Sequence, residues 1–172
     1  MRKIRYAVAA SLDGFIAGPN GEADWIGMDP EVDFAAIWAQ FDTLLMGRRT
    51  YEAAVKAMGE KAFPGVTAIV FSRTLKQRDH PAATIVSELS SDWVQALKAR
   101  SGKDIWLFGG SGLFRPFLNG GYVDTVEVSV IPVLLGGGVP LFPPPYNPTK
   151  LRLLSHKVNR SGRVSLVYEL PH

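Results

Sequence analysis

Three short apolar runs in this chain each stop abruptly at a turn made of glycine, serine and arginine. "LLMG" gives way to Arg48-Arg49-Thr50, "IVFS" to Arg73-Thr74, and "WLFGG" to Ser111-Gly112. Two of these turns lead straight into a segment with helical patterning. Strand–turn–helix units in series point to parallel strands, because a parallel partner is reached only by a crossover, which is usually a helix. Sheets of this kind bind ligands outside the carboxyl ends of their strands. That rule makes the three turns the first places to look for chemistry.

The rest of the chain fits this scheme. "IRYAVAA" (4–10) predicts a first strand, followed by "SLDGFIAGPNGEADW", a loop with turn signals at Asp13-Gly14 and Pro19-Asn20-Gly21. Residues 29–41 predict a helix with Asp29 as N-cap and Pro30 in the first helical position. Strands follow at 42–47, 66–73 and 83–87, with a helix over "RRTYEAAVKAMG" between the first two. A helix over 90–102 precedes the strand "KDIWLFGG" and the helix "SGLFRPFLNGG". The C-terminal part is β-patterned throughout. "DTVEVSVIPVLLGGG" reads as a long strand, "GGGVPLFPPPYNP" as a loop, and "KLRLLSHKVNRSGRVSLVYEL" as a hairpin turning at Ser161-Gly162. The expectation is an α/β fold of three αβα layers. Its sheet is mixed but mostly parallel, with helices on both faces and a C-terminal antiparallel hairpin, in one domain over residues 1–172.

Composition narrows the function. The 19 Lys and Arg against 16 Asp and Glu leave a net charge of only +3, with no basic stripe. That suits a small anionic ligand better than nucleic acid. The absence of cysteine excludes disulfides, thiolate nucleophiles and cysteine metal sites. His80, His156 and His172 are scattered without ligand spacing, so no metal is expected. The start "MRKIRYAVAASLDGF" reads as a strand and not as a signal peptide, and no run approaches the roughly 20 apolar residues of a spanning helix. A cytoplasmic protein without a membrane partner is expected. The apolar β edge of the C-terminal part predicts a homodimer.

Helix N-termini present free N–H groups and partial positive charge, which suit phosphate, and glycine removes the Cβ that would hold a diphosphate away. Arg48, Arg49 and Arg73 can supply charge to a further phosphate, such as the 2′-phosphate of an NADP-type cofactor. A lone "GGSG" is more often only a tight turn, and it does not match the G-x-G-x-x-G fingerprint. The reading rests on three such turns recurring after three strands.

Five ordered motifs also carry a resemblance over essentially the whole chain: "AASLDGFIAGPNGEADW", "TLLMGRRTYE", "IVFSRT", "WLFGGSGLF" and "VDTVEVSVIPVLLGGGVPLF". In these the chain resembles the dihydrofolate-reductase-like superfamily, and within it stand-alone relatives of the RibD C-terminal reductase domain of riboflavin biosynthesis. The resemblance implies NADPH as cofactor. Ala9, Ala10, Ile16 and Ala17 would flank the nicotinamide, and Gly47, Arg48, Arg49 and Thr50 would hold cofactor phosphates. Ser72 and Arg73 would meet the adenosine side with its 2′-phosphate. Gly109, Gly110, Ser111, Gly112 and Leu113 would pass under the diphosphate and nicotinamide ribose, with a cis bond at Gly109–Gly110.

The substrate would be a pterin or pyrimidine, and Glu31, with Asp33 after it, falls where dihydrofolate reductases carry a catalytic acid. Acids in a first helical turn are also favoured by the helix dipole alone. The step from "LLMG" directly into "RRTYE" departs from the riboflavin enzymes, which insert a long acidic loop there. The expected activity is an NADPH-dependent reductase similar to 5-amino-6-(5-phosphoribosylamino)uracil reductase or dihydrofolate reductase. The alternative is a dimeric NADP(H)-binding protein with little catalysis.

Overall fold

The apolar runs become strands and the patterned segments between them become helices. The computed structural model describes residues 1–59, 62–145 and 147–171. In chain order the elements are β1 (Ile4–Ser11), β2 (Phe15–Ala17), α1 (Phe34–Trp38), β3 (Phe41–Gly47), α2 (Arg48–Met58), β4 (Thr67–Phe71) and β5 (Ala83–Val86). They continue with α3 (Ser91–Ala99), β6 (Asp104–Gly109), α4 (Ser111–Asn119), β7 (Thr125–Ile131), β8 (Val139–Pro140), β9 (Arg152–Val158) and β10 (Val164–Glu169).

Eight strands form one sheet in the order β5-β4-β3-β6-β1-β7-β10-β9. The pairings from β5 across to β7 are parallel, and β10 and β9 add antiparallel strands at one edge. β2 and β8 pair separately as a short antiparallel ribbon.

Side chains along β3 alternate between two cores, which is why both faces of the sheet are covered. Leu45 joins Ile69, Leu107, Val94 and Leu97 of α3, and Phe114 and Phe117 of α4. Leu44 and Met46 point the other way, onto Val70 and Tyr51 of α2. This is the expected three-layer αβα arrangement with its C-terminal hairpin.

The connections locate a crevice. β3 leads through α2 to β4 on one side, whereas β6 leads through α4 to β7 on the other. β3 and β6 are neighbours, so the chain leaves their carboxyl ends in opposite directions and a gap opens there. The β3–β6 register also slips between Leu45 and Met46, which face Leu107 and Gly109. β6 therefore carries one extra residue, Phe108, just before the glycine turn.

Two expectations are corrected. The helix predicted over 29–41 is only α1, capped by Asp33, whose Oδ1 accepts from the Ala36 N–H at 2.9 Å. Asp29 is no helix cap. It is buried, and it accepts from Asn159 Nδ2 at 3.0 Å, Ser161 Oγ at 2.6 Å and the Glu31 N–H at 2.9 Å, with Arg163 Nε at 3.8 Å. Donors from the β9–β10 turn hold residues 29–33 against that turn, and the helix starts only beyond them. The long strand predicted after Asp124 likewise ends at Ile131. The next residue, Pro132, has no N–H to continue a ladder. Tyr146 of the Pro-rich loop and His172 lie outside the described residues.

Candidate functional site

The gap at the carboxyl ends of β3 and β6 is a cleft of about 950 Å³. Gly47, Arg48, Arg49 and Thr50 form one wall and Gly110, Ser111, Gly112 and Leu113 the floor, while Ile16, Ala17 and Val139 close the rim. Two of the three turns singled out in the sequence thus meet in one place. The N-cap residues of α2 and α4 are Gly47 and Gly110, which have no side chain to cap the first-turn N–H groups. The Leu113 N–H donates to the Gly110 carbonyl at 3.0 Å, and the N–H groups before it in α4, with those at the start of α2, remain for a ligand. A Cβ on Gly47 or Gly112 would meet nothing within 4 Å, so the backbone there faces open space. Gly109 sits at φ +137°, a conformation that L side chains rarely adopt, and the Gly109–Gly110 bond is cis.

The charge of the cleft has one sign. Among the described residues that line it, Arg48 and Arg49 are the only ionisable side chains. Arg48 Nη1 donates to Thr74 Oγ1 at 3.3 Å, and its Nε lies 3.9 Å from Glu52 Oε2 across one helical turn. This exposed pair is weak, so the arginine can turn toward an anion.

The third turn stands just outside. Phe71, the last residue of β4, lines the cleft, but Ser72 and Arg73 do not. Ser72 Oγ accepts from the N–H groups of Thr74 and Leu75 at 3.2 and 3.1 Å and so shapes the turn, leaving Arg73 exposed beside it. Ala9 lies half-buried in β1 and also does not line the cleft.

The two acids are elsewhere. Glu31 Oε2 accepts from the Arg160 N–H at 2.6 Å, and Lys157 Nζ donates to its carbonyl at 3.1 Å. Asp33 is the cap of α1. The same clasp that holds Asp29 at the β9–β10 turn holds Glu31 there, and neither acid lines the cleft. Trp38 packs against Trp106 and Phe108 with centroids 4.9 and 6.1 Å apart.

Sequence reading missed Pro19, Asn20, Gly21, Ala53, Phe71 and Val139 as lining residues. Phe71 is recoverable as a strand end. Val139 is not, since a two-residue strand has no periodicity to detect. Among the described residues, no group of three or more acidic or histidine side chains can hold a metal ion, and no helix is long and apolar enough to cross a membrane.

A parallel sheet covered on both faces, with a one-signed cleft at its switch point, defines an α/β ligand-binding domain of dihydrofolate-reductase-like fold. The chain belongs to the RibD C-terminal domain family, whose model matches residues 2–164. It is 36% identical to the uncharacterized protein YyaP of Bacillus subtilis over 178 residues, which cover 97% of this chain and 94% of that one. A solved structure of a Shewanella sp. PV-4 protein named for riboflavin biosynthesis is 26% identical, with a TM-score of 0.84 and both chains covered completely. The Thermotoga maritima diaminohydroxyphosphoribosylaminopyrimidine deaminase/5-amino-6-(5-phosphoribosylamino)uracil reductase shares the fold. Its TM-score is 0.72 at 17% identity, over 99% of this chain and 57% of that one. The family is thus one of riboflavin-pathway-like reductases.

Proposed function

We propose that this protein is a cytoplasmic NADPH-dependent reductase of a pterin- or pyrimidine-type heterocycle or its ribosylated derivative. The observation that carries the reading is the cleft itself. Two bare helix N-termini and two arginines converge there, and no carboxylate opposes them among the described lining residues. That donor set fits a dinucleotide carrying several phosphates.

Arg48, Arg49 and the first-turn N–H groups of α2 hold phosphates in this reading. Arg73 reaches the 2′-phosphate from the β4 end, where Ser72 fixes its turn. Gly110 to Leu113 let the diphosphate and ribose lie against the backbone, and Ile16 and Ala17 flank the nicotinamide. NADPH, when bound, supplies the hydride. Glu31 and Asp33 stand outside the cleft and hold no part of the cofactor in this reading.

A second copy of the chain fits the free edge of the sheet. Every residue of β9 is exposed, with Leu153, Leu154 and Val158 at 47%, 46% and 65%. An uncovered apolar edge strand invites pairing. Sedimentation at a monomer mass would dispose of the dimer.

The cofactor assignment is tested by thermal unfolding. At a hundredfold excess over Kd, a ligand of the native state adds about 2.7 kcal/mol, which raises the Tm by several degrees. NADPH is expected to raise the Tm more than NADH does. Equal shifts, or none, would contradict the assignment.

A further inference from the structure

Asp13 lies outside the cleft, yet its bonds converge on the segments that form the rim. Its Oδ2 accepts from the Gly136 N–H at 2.7 Å, and its Oδ1 accepts from the Leu135 N–H at 3.1 Å and from Ser11 Oγ at 2.6 Å. Ser11 Oγ in turn accepts from the N–H of Phe15, the first residue of β2, at 3.0 Å. One carboxylate therefore joins the end of β1, the start of β2 and the loop that leads to β8. These donors hold the Asp13 carboxyl below its ordinary range, with the Ser11 hydroxyl the largest cause.

Two backbone bonds also tie these segments, from the Leu12 N–H to the Val133 carbonyl at 2.9 Å and from the Leu141 N–H to the Gly14 carbonyl at 2.8 Å, but neither involves residues 134–138. β2 has three residues and β8 two, and an isolated two-stranded ribbon is marginal in water. At Gly138 (φ +143°) a Cβ would sit 2.1 Å from the Ala17 carbonyl oxygen, so the loop approaches β2 as closely as a backbone can. A small shift of residues 134–138 thus displaces Ala17 and Val139, which line the cleft.

We propose that Asp13 is a positioning residue, whose carboxylate latches the 134–138 loop to the β1–β2 turn and so sets the cleft wall formed by β2 and β8. The affinity arm of its test rests on the cofactor reading above, and the exchange arm does not.

Asp13→Asn and Asp13→Ala are compared with wild type by amide hydrogen exchange and by NADPH titration. Asn keeps one acceptor but turns an NH₂ toward the Gly136 N–H, and Ala removes both acceptors. Loss of hydrogen bonds to a charged group predicts about tenfold faster exchange over residues 13–18 and 134–140, and NADPH bound about tenfold more weakly. Exchange over β6 should not change. Asp29→Asn, which loosens a similarly bonded aspartate at the β9–β10 turn, should lower the Tm and leave NADPH affinity alone.

Unchanged exchange over 13–18 and 134–140 would overturn the proposal. Equal acceleration in β6 would overturn it too, since Asp13 would then only support the fold. If wild type binds no NADPH, the cofactor reading fails, and the exchange pattern alone decides the latch.

Discussion

At the amino ends of β3 and β7, charged groups are tied to one another. Arg2, buried, pairs with Asp42 and donates to Thr43 Oγ1 at 2.7 Å and to the Lys103 carbonyl at 2.5 Å. Lys98 Nζ lies 2.7 Å from Asp124 Oδ2, which also accepts from the Ile4 N–H at 2.7 Å. At the carboxyl ends of β3 and β6, Arg48 has a long contact to Glu52, and Arg49 stands exposed in a cleft without a lining acid. Both ends carry cations beside glycine, Arg2 by Gly102 and Arg48 by Gly47. What separates them is compensation: a cation with its own carboxylate closes a structure, and one left facing bare N–H groups awaits an anion.

The sharpest way to break this contrast is to exchange its consequences. Arg2→Ala should cost about 3 kcal/mol in denaturant unfolding, because Asp42 loses its buried partner, and should leave NADPH affinity untouched. A loss of affinity without a loss of stability would reverse the roles of the two ends. Gly109→Ala should act on both properties. Forcing a Cβ onto φ +137° costs about 1–3 kcal/mol, and the displaced turn weakens NADPH binding measured by fluorescence titration.

Arg73→Ala should lower NADPH affinity about tenfold while NADH affinity and Tm stay as in wild type, as loss of one charge-assisted contact requires. Identical losses for both cofactors would move the 2′-phosphate elsewhere. A separate effect concerns pH. The Asp29 carboxyl is lowered from its ordinary 3.8 to about 2, chiefly by Ser161 and then Asn159. Its folded value lies below its unfolded one, so its stabilisation is complete above about pH 4 and fades as pH falls toward 2. Asp29→Asn should therefore be less stable than wild type at neutral pH, and the gap should close in acid unfolding.

Local signals made the cleft legible. Strand ends at Gly47, Phe71 and Gly109 follow from apolar runs broken by turn residues, and the helix starts at Arg48 and Ser111 follow from the same breaks. Their meeting in space is less local, since it depends on the strand order that sets β3 beside β6. Residues 29–33 misled because Asp29 and Pro30 make a sound local helix start, whereas the donors that hold them, Asn159 and Ser161, are 130 and 132 positions away. The displacement of Glu31 from the cleft has the same origin. The β2–β8 ribbon was hidden for another reason: three residues and two have no period, and its position depends on Asp13, which by itself marks only a turn.

The contrast between the two ends is tested most directly by amide exchange with and without saturating NADPH. The account predicts slowed exchange over residues 47–53 and 110–114, with none at residues 100–104 by the Arg2–Asp42 pair. Protection at the amino end, or its absence at Gly47–Thr50 and Gly110–Leu113, would contradict it.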